Sequence, residues 1–364
     1  MHPAMRLFDR YALRELIVPF GMGLLVFTML MLGNVLYLTL RLIISRRAPA
    51  GLVIQYLLLK APYVVSLAFP VAMVLAVSLA VNRLTRDFEL PAIRLSGVPL
   101  WRAFSPFFLV GVWASLFTLW LNERVVPGAN HASMQIVRRL MLEQPVPLLE
   151  ANKFLRGGPD VYFYVKEVDP KASALRGVLI YRLRDGFPEV ITAKKATYIK
   201  AARIWVLYDG FVHRFDREGR LLAEAPFETL ELNLGETIEA FFSSVKTPEE
   251  MSSSELAKQI ELLSKGGLST EELEVAYHFK FAIPAACFVF ALCAAPLSMH
   301  FAKAGSFGGV LLAVALVFVY YCLMQWARAL GAEGILPPAV AAWSQNLLFA
   351  LIGIGLVLWH EKRG

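Results

Sequence analysis

Six stretches without Asp, Glu, Lys or Arg constrain most strongly what this chain can fold into. They cover residues 16–40, 61–82, 103–122, 281–302, 304–327 and 334–359. Each is long enough for a helix to cross a hydrocarbon core of about 30 Å at about 1.5 Å per residue. With 57% hydrophobic and 18% charged residues, the composition excludes a disordered chain, an ordinary soluble enzyme and a nucleic-acid binder. We predict an α-helical membrane protein with six transmembrane helices.

Basic residues in the short loops predict the orientation. With six spans, one side of the membrane carries both termini and ten basic residues: Arg6, Arg10, Arg14, Arg83, Arg86, Arg94, Arg102, Lys303, Lys362 and Arg363. The other side carries five: Arg41, Arg46, Arg47, Lys60 and Arg328. Because positive charge accumulates on the cytoplasmic side, both termini are expected on the cytoplasmic side of the membrane.

Three arginines run against this charge rule. Arg41, Arg46 and Arg47 follow the first span on the side that the rule leaves poor in positive charge. Two interpretations stay open at this point. The arginines anchor the helix at the interface, or they form a cationic collar that binds phosphorylated lipid headgroups in the outer leaflet.

Between the third and fourth spans the pattern changes from long apolar runs to short alternating segments. These are residues 161–165, 177–184, 203–208, 211–215 and 227–234, with turn signals at Asp185-Gly186, Asp209-Gly210 and Glu218-Gly219. Short strands joined by such turns are typical of an antiparallel β-sandwich or jelly roll. The predicted domains are therefore residues 1–123 with three helices, 124–267 with a periplasmic β-domain and a connecting helix over 252–263, and 268–364 with three further helices.

No pattern of catalytic or metal-binding residues occurs in the sequence. It contains no phosphate-binding loop, no His-x-x-x-His, no Cys-x-x-Cys and no Gly-x-Ser-x-Gly. No charged residue lies in the middle of a span, where an ion-coupled carrier would need one. We predict no bound cofactor, metal or catalytic residue, and expect any transport to take its energy from a partner.

The longest cytoplasmic loop, residues 83–97, reads as a short helix that ends at Gly97. Acidic and apolar residues are close together in it, on a side that is otherwise basic. One interpretation is a solvated turn on the headgroups, and the other is a docking segment for a soluble ATPase. For docking we single out Arg86, Asp87, Glu89, Leu90 and Ile93, with Phe88 and Leu95 as further apolar contacts.

A series of residues along the whole chain resembles one known family. The series comprises Arg10-Tyr11, Arg14-Glu15, Glu89-Leu90, Ala92, Ser96-Gly97, Thr247-Pro248-Glu249-Glu250-Met251-Ser252, His278, Lys280, Pro284, Ala295-Pro296-Leu297-Ser298, Tyr320-Tyr321, Gly334, Pro337-Pro338, Trp343 and Asn346. In this order it resembles the LptF/LptG permeases, the paired membrane subunits of the ATP-driven lipopolysaccharide exporter. Pro91 departs from the family pattern and leaves the register of the loop helix open.

The resemblance implies a permease subunit that extracts lipopolysaccharide or a related glycolipid from the inner membrane. It implies four kinds of partner: a second LptF/LptG-type permease, two copies of an LptB-type cytoplasmic ATPase that uses the ATP, an LptC-type single-span protein, and a periplasmic β-jelly-roll bridge. Two alternatives stay open: a permease of the same fold for a different lipid, and a membrane enzyme acting on envelope glycolipids. The LptF and LptG roles are not distinguished.

Methionine and aromatic residues are frequent in spans one and five. Because Met and aromatic side chains adapt well to irregular apolar surfaces, the two spans are candidates for the walls of a lipid cavity, although ordinary helix packing gives the same pattern. The predicted cavity residues are Phe27, Met31, Tyr37, Phe318, Tyr320, Tyr321 and Met324.

Overall fold

A computed structural model describes residues 3–46, 49–142, 153–158, 161–169, 174–184, 187–199, 204–216, 220–232, 246–265, 269–302 and 305–363. The chain divides into two compact units. The helical unit contains Met1–Ser133 and Thr247–Gly364, and the β unit contains Met134–Lys246.

The described residues form nine α-helices and six strands. The helices are α1 (Pro3–Arg46), α2 (Ala50–Arg86), α3 (Glu89–Leu95), α4 (Leu100–Arg124), α5 (Val126–Leu142), α6 (Ser253–Lys265), α7 (Glu271–Phe301), α8 (Gly305–Ala332) and α9 (Pro338–Arg363). The strands are β1 (Lys153–Gly158), β2 (Val161–Asp169), β3 (Ala174–Arg184), β4 (Phe187–Ile199), β5 (Ile204–Phe215) and β6 (Leu221–Leu232). A 3₁₀ turn, Pro248–Glu250, precedes α6.

Six of these helices are long and apolar enough to span a membrane: α1, α2, α4, α7, α8 and α9. The predicted set of six spans is confirmed. In their most apolar windows, 72% of α7 and 67% of α2 are buried, against 11% of α1. The core of the helical unit is therefore built around α2 and α7, and α1 is the least embedded of the six.

Polar side chains join the helices inside this apolar core. Tyr320 of α8 donates a hydrogen bond to Asn346 Oδ1 of α9 at 2.8 Å, and Asn346 Nδ2 donates to the Ala282 carbonyl of α7 at 2.7 Å. A buried polar group in a membrane needs a partner inside the protein because lipid supplies none. These two bonds therefore stabilise the packing of three spans at one point.

The β unit contains one antiparallel sheet in which the described strands follow each other in chain order, β1 to β6. An inserted β-domain is confirmed. Its described strands form a meander, whereas the sequence suggested a sandwich or jelly roll. Two strands, β1 and β4, were missed by the sequence reading, and β4 is the longest of the six.

The Asp209-Gly210 turn predicted from the sequence is wrong, because β5 runs through both residues. Asp209 has a positive φ of 51° inside the strand. A Cβ on Gly210 would lie 2.0 Å from the Thr192 carbonyl oxygen and 2.4 Å from Phe227 Cζ. The glycine is therefore needed for close approach of two neighbouring strands and not for a chain reversal.

Asp209 belongs to a line across the sheet at which the pleat changes. Side chains normally alternate between the two faces of a strand, but in β3, β4 and β5 two adjacent residues follow one another between buried ones. These pairs are Arg176-Gly177, Lys194-Lys195 and Tyr208-Asp209, and the strand register aligns them with Glu167 of β2 and Thr229 of β6. Gly177 has a positive φ of 63° in the same line. On both sides of this line, the buried residues lie on the same apolar face of the sheet.

Candidate lipid groove and coupling surface

An apolar cavity of about 970 Å³ lies between α1, α2 and α8. Its lining residues in α1 are Pro19, Met22, Gly23, Val26, Phe27, Leu30 and Met31. In α2 they are Leu67, Val71, Val74, Leu75 and Leu79, and in α8 they are Val310, Ala313, Val314, Val317, Phe318, Tyr321, Cys322, Gln325 and Trp326. None of these described lining residues is charged. We call this cavity the groove.

Four of the seven predicted cavity residues line the groove: Phe27, Met31, Phe318 and Tyr321. Tyr320 and Met324 are not among the lining residues; they lie about one helical turn apart on α8 and are buried in the core. Tyr37 is largely exposed near the far end of α1 and lies outside the lining. The cavity lies beside the two spans that their composition singled out, whereas the side that each helix turns toward it depended on packing. That lipid occupies the cavity stays a prediction.

The wall that α2 contributes was missed by the sequence reading. Its lining residues are ordinary Val and Leu residues in a helix that is apolar on all sides, so no periodicity marks the face toward the groove. In a membrane, acyl chains gain little from the hydrophobic effect because the lipid is equally apolar. The groove therefore suits acyl chains by shape and by the absence of charge.

The short helix α3 lies at the end of the helical unit that carries Tyr11 of α1 and His360 of α9. Its bounds are narrower than the predicted loop helix, since Arg83–Arg86 belong to the end of α2. Pro91 is in the first turn of α3, where its missing N–H breaks no hydrogen bond within the helix, so the proline fits. Gly97, with a φ of 84°, follows the end of the helix as predicted.

The residues chosen for ATPase docking occupy different positions on α3 and beside it. Leu90 is 0% exposed and packs into the core, so it anchors α3. Ile93 is half-buried, and Arg86 and Asp87 are exposed with an Nε to Oδ1 distance of 3.8 Å. The exposed apolar surface at α3 is formed by Phe88 and Leu95, whose exposed fractions are 75% and 90%.

Glu89 has a partner within the chain. The Tyr11 hydroxyl of α1 donates a hydrogen bond to Glu89 Oε1 at 3.0 Å. Near it, Arg83 at the end of α2 pairs with Glu15 of α1. These contacts involve Tyr11 and Glu15, which the sequence presented only as parts of family pairs.

Two further contacts attach the same end of the unit. Arg102 of α4 holds the Asp9 carboxylate of α1 with two bonds of 2.8 and 2.6 Å. Arg94 of α3 donates to the His360 carbonyl at 3.1 Å. Such bidentate and charge-assisted bonds are among the stronger polar contacts in proteins. The first turns of α1 are therefore bonded to α2, α3 and α4, while residues between Pro19 and Met31 of the same helix line the groove.

At the other end of the helical unit, a small cavity of about 90 Å³ is lined by charged residues. Lys280 and Arg328 line it together with Glu249, and Arg328 Nη2 lies 4.0 Å from Glu249 Oε1. Glu249 belongs to the Thr-Pro-Glu-Glu segment of the sequence series.

The three arginines of the predicted collar are not placed by the structure. Arg41 and Arg46 are in the last turns of α1, but their side chains lie outside the described residues, as does all of Arg47.

Among the described residues, no group of three or more His, Cys, Asp or Glu side chains is arranged to hold a metal ion.

Comparison with known families gives one finding for the chain as a whole. Residues 10–359 match the family described as Lipopolysaccharide export system permease LptF/LptG. No curated protein matches the sequence. The match covers nearly the whole chain, including all six spans and the inserted β-domain. The chain therefore belongs to the LptF/LptG permease family.

Proposed function

We propose that this protein is the permease subunit of an ATP-driven exporter that extracts lipopolysaccharide from the bacterial inner membrane and passes it to a periplasmic bridge. The observation that carries the proposal is the uncharged groove between α1, α2 and α8 in a chain of this family. The groove takes the acyl chains, and phosphorylated headgroup sugars lie near the membrane surface, where the arginine collar would meet them.

The energy comes from ATP hydrolysis by an LptB-type ATPase pair in the cytoplasm. Phe88 and Leu95, exposed at the two ends of α3, would contact the ATPase together with Asp87 and Arg86. Closure of the ATPase pair moves α3, and the bonds from α3 and its neighbours to the first turns of α1 carry the movement to the groove. Narrowing of the groove then expels the lipid.

A second LptF/LptG-type permease would complete the cavity. Met22, Val26, Leu30 and Phe318 line the groove and are each more than half exposed in the single chain. A partner permease facing them would enclose the lipid, and an LptC-type span and a β-jelly-roll bridge would receive it.

The cytoplasmic placement of both termini is tested by cysteine labelling. In a variant whose exposed Cys322 is replaced by Ser, so that only the buried Cys287 and Cys293 remain, a Cys introduced at Lys194 in the β unit should react with an impermeant reagent on intact spheroplasts. A Cys at Phe88 should react only after the membrane is opened. The opposite pattern would overturn the orientation that the basic loop residues predict.

The function is tested in proteoliposomes that contain this chain, its partner permease, the ATPase, the single-span protein and the bridge. Val314→Trp places a large side chain in the groove at a position that is 59% exposed, so it adds volume without overpacking the core. Lipid transfer to the bridge should fall about tenfold or more while the complex still assembles. Leu351→Trp, on an exposed face of α9 outside the groove, is the matched control.

Equal lipid transfer in both variants would refute the groove as the lipid site. The lipid that co-purifies with the complex identifies the cargo, and a different envelope lipid in the groove would replace lipopolysaccharide in the proposal.

A further inference from the structure

Two arginines and one glutamate form a row across three neighbouring strands of the β unit. Arg182 of β3 pairs in register with Glu189 of β4, which pairs with Arg214 of β5. Arg182 Nε donates to Glu189 Oε2, and Arg214 Nε donates to Glu189 Oε1 at 3.1 Å. We call these three residues the arginine row.

The arginine row lies on the apolar face of the sheet. Two residues further along each strand, the next row on this face contains Ile180, Ile191 and Val212. Ile180 and Ile191 belong to the buried cluster of the β unit, and Val212 packs against it. The row is also at the end of the sheet opposite to the end at which β6 finishes with Leu232. The apolar face therefore ends in charged residues at this edge.

The charges in the row do not cancel. Glu189 is 2% exposed, and one guanidinium would suffice to neutralise it. Burial raises the pKa of this carboxyl, but hydrogen bonds from Arg182 and Arg214 lower it more, so Glu189 stays ionised and the row keeps one excess positive charge. The neighbours that continue the row, Val161 of β2 and Ala223 of β6, carry no charge.

Both guanidinium groups retain donors for a ligand. Each uses its Nε for Glu189, and among the described residues no partner occurs for their terminal nitrogens. The Arg214 side chain is 58% exposed and that of Arg182 is 27% exposed. A planar guanidinium donates two parallel bonds to a phosphate, and Glu189 holds both groups at one place.

We propose that Arg182 and Arg214, held together by Glu189, bind the phosphate group of an amphiphilic ligand at this end of the apolar face. The excess charge selects an anion, the guanidinium pair selects phosphate, and the adjoining apolar rows select a ligand with a hydrocarbon part. The proposal deepens the proposed function, because a phosphorylated glycolipid has this chemistry. Glu189 is a positioning residue in this site.

The test uses the full-length chain with a photo-crosslinking amino acid at Ala223, next to Arg214 in the register. The probes are a bisphosphorylated glucosamine disaccharide lipid and the same lipid after enzymatic removal of its phosphates. Arg214→Gln removes the more exposed cation and leaves Arg182 to pair with Glu189. Arg176→Gln, at an exposed position on the outer face, is the matched control.

Crosslinking of the phosphorylated lipid should fall about tenfold in Arg214→Gln and stay unchanged in Arg176→Gln. Crosslinking of the dephosphorylated lipid should start low and be unaffected by Arg214→Gln, because the two changes remove the same contact. Equal losses for both lipids would mean that Arg214 acts on the fold, and no loss would mean that it binds no phosphate. Either result overturns the proposal.

Free phosphate is the other source of the same chemistry. Inorganic phosphate at the concentration of the lipid should not compete, and competition at that concentration would overturn the assignment to an amphiphile. ATP-dependent lipid transfer measured in parallel separates the two proposals. Transfer that persists without phosphate-dependent crosslinking refutes only the arginine row, whereas absence of transfer in the wild-type complex refutes the proposed function.

Discussion

Tyr11→Phe should weaken the coupling between ATP hydrolysis and lipid transfer while leaving the ATPase bound. The Tyr11 hydroxyl donates to Glu89 Oε1 at 3.0 Å and thereby joins α1 to α3. The substitution removes one oxygen atom from α1 and alters nothing on the exposed surface of α3, where Phe88 and Leu95 lie. We therefore expect assembly with the ATPase to be unchanged and only the transmission of movement to suffer.

The size of the effect follows from the kind of bond. A hydrogen bond to a charged group contributes about 1.5–3 kcal/mol, and the partial exposure of Tyr11 and Glu89 places this bond near the lower limit. A loss of about 1.4 kcal/mol corresponds to about a tenfold change in an equilibrium constant. If this bond keeps α3 and α1 together during the cycle, lipid transferred per ATP hydrolysed should fall by up to about tenfold.

The assay is a double-mutant cycle in proteoliposomes with Tyr11→Phe, Glu89→Ala and the double variant. Lipid transfer, ATP hydrolysis and recovery of the ATPase by pull-down are measured for each. Because both single changes remove the same bond, the double variant should be no worse than Glu89→Ala alone. Tyr37→Phe, at an exposed position of the same helix, is the matched control.

Two results would refute the reasoning. Additive losses in the double variant would show that Tyr11 and Glu89 act independently. Loss of the ATPase in Glu89→Ala but not in Tyr11→Phe would show that Glu89 itself is part of the docking surface, as the sequence suggested.

Three further predictions concern the collar and the β unit. Replacing Arg41, Arg46 and Arg47 together by Ala should reduce crosslinking of lipid to a probe beside them, because each arginine contributes about 1 kcal/mol, and the ATPase should stay bound. Unchanged crosslinking would mean that the three arginines are interfacial anchors only. Gly210→Ala should destabilise the β unit by about 3 kcal/mol or more, because its Cβ would lie 2.0 Å from a carbonyl oxygen. Gly33→Ala, whose Cβ would have no atom within 4 Å, is the control. Equal resistance of the two variants to proteolysis would contradict the expectation. The pKa of Glu189 is lowered because its bonds to two arginines outweigh burial, so Glu189 stabilises the β unit fully above the ordinary pKa of 4.5 and loses this effect as the pH falls through the lower pKa of the folded state. In Glu189→Gln the acid unfolding of the β unit should therefore lose the pH dependence that Glu189 contributes. An unchanged acid transition would argue against the ion pairs.

The sequence by itself determined the architecture of the helical part. Six charge-free stretches could exist only as membrane spans, because a run of about 20 apolar residues has no comparable use in a soluble chain. The same contrast in composition marked the inserted β-domain. It also indicated α1 and α8 as helices rich in adaptable side chains, and Phe27, Met31, Phe318 and Tyr321 do line the groove.

Local signals were weaker in the β unit. An Asp-Gly pair is a good hairpin signal because both residues tolerate a positive φ. Here the positive φ of Asp209 serves a change of pleat within β5, and Gly210 makes room for Phe227. The sequence shows that such a backbone conformation is allowed, but not whether neighbouring strands will use it for a turn or for a bend.

Only the tertiary structure decided which side of each helix faces what, and which polar residues meet. A helix that is apolar on all sides has no period to show its contact face, so the α2 wall of the groove and the burial of Tyr320 depended on packing. The partners of Tyr11 and of Tyr320 are 78 and 26 residues away in the chain. Hydrogen bonds between residues so distant form because the helices pack side by side, and no local pattern encodes which pairs will meet.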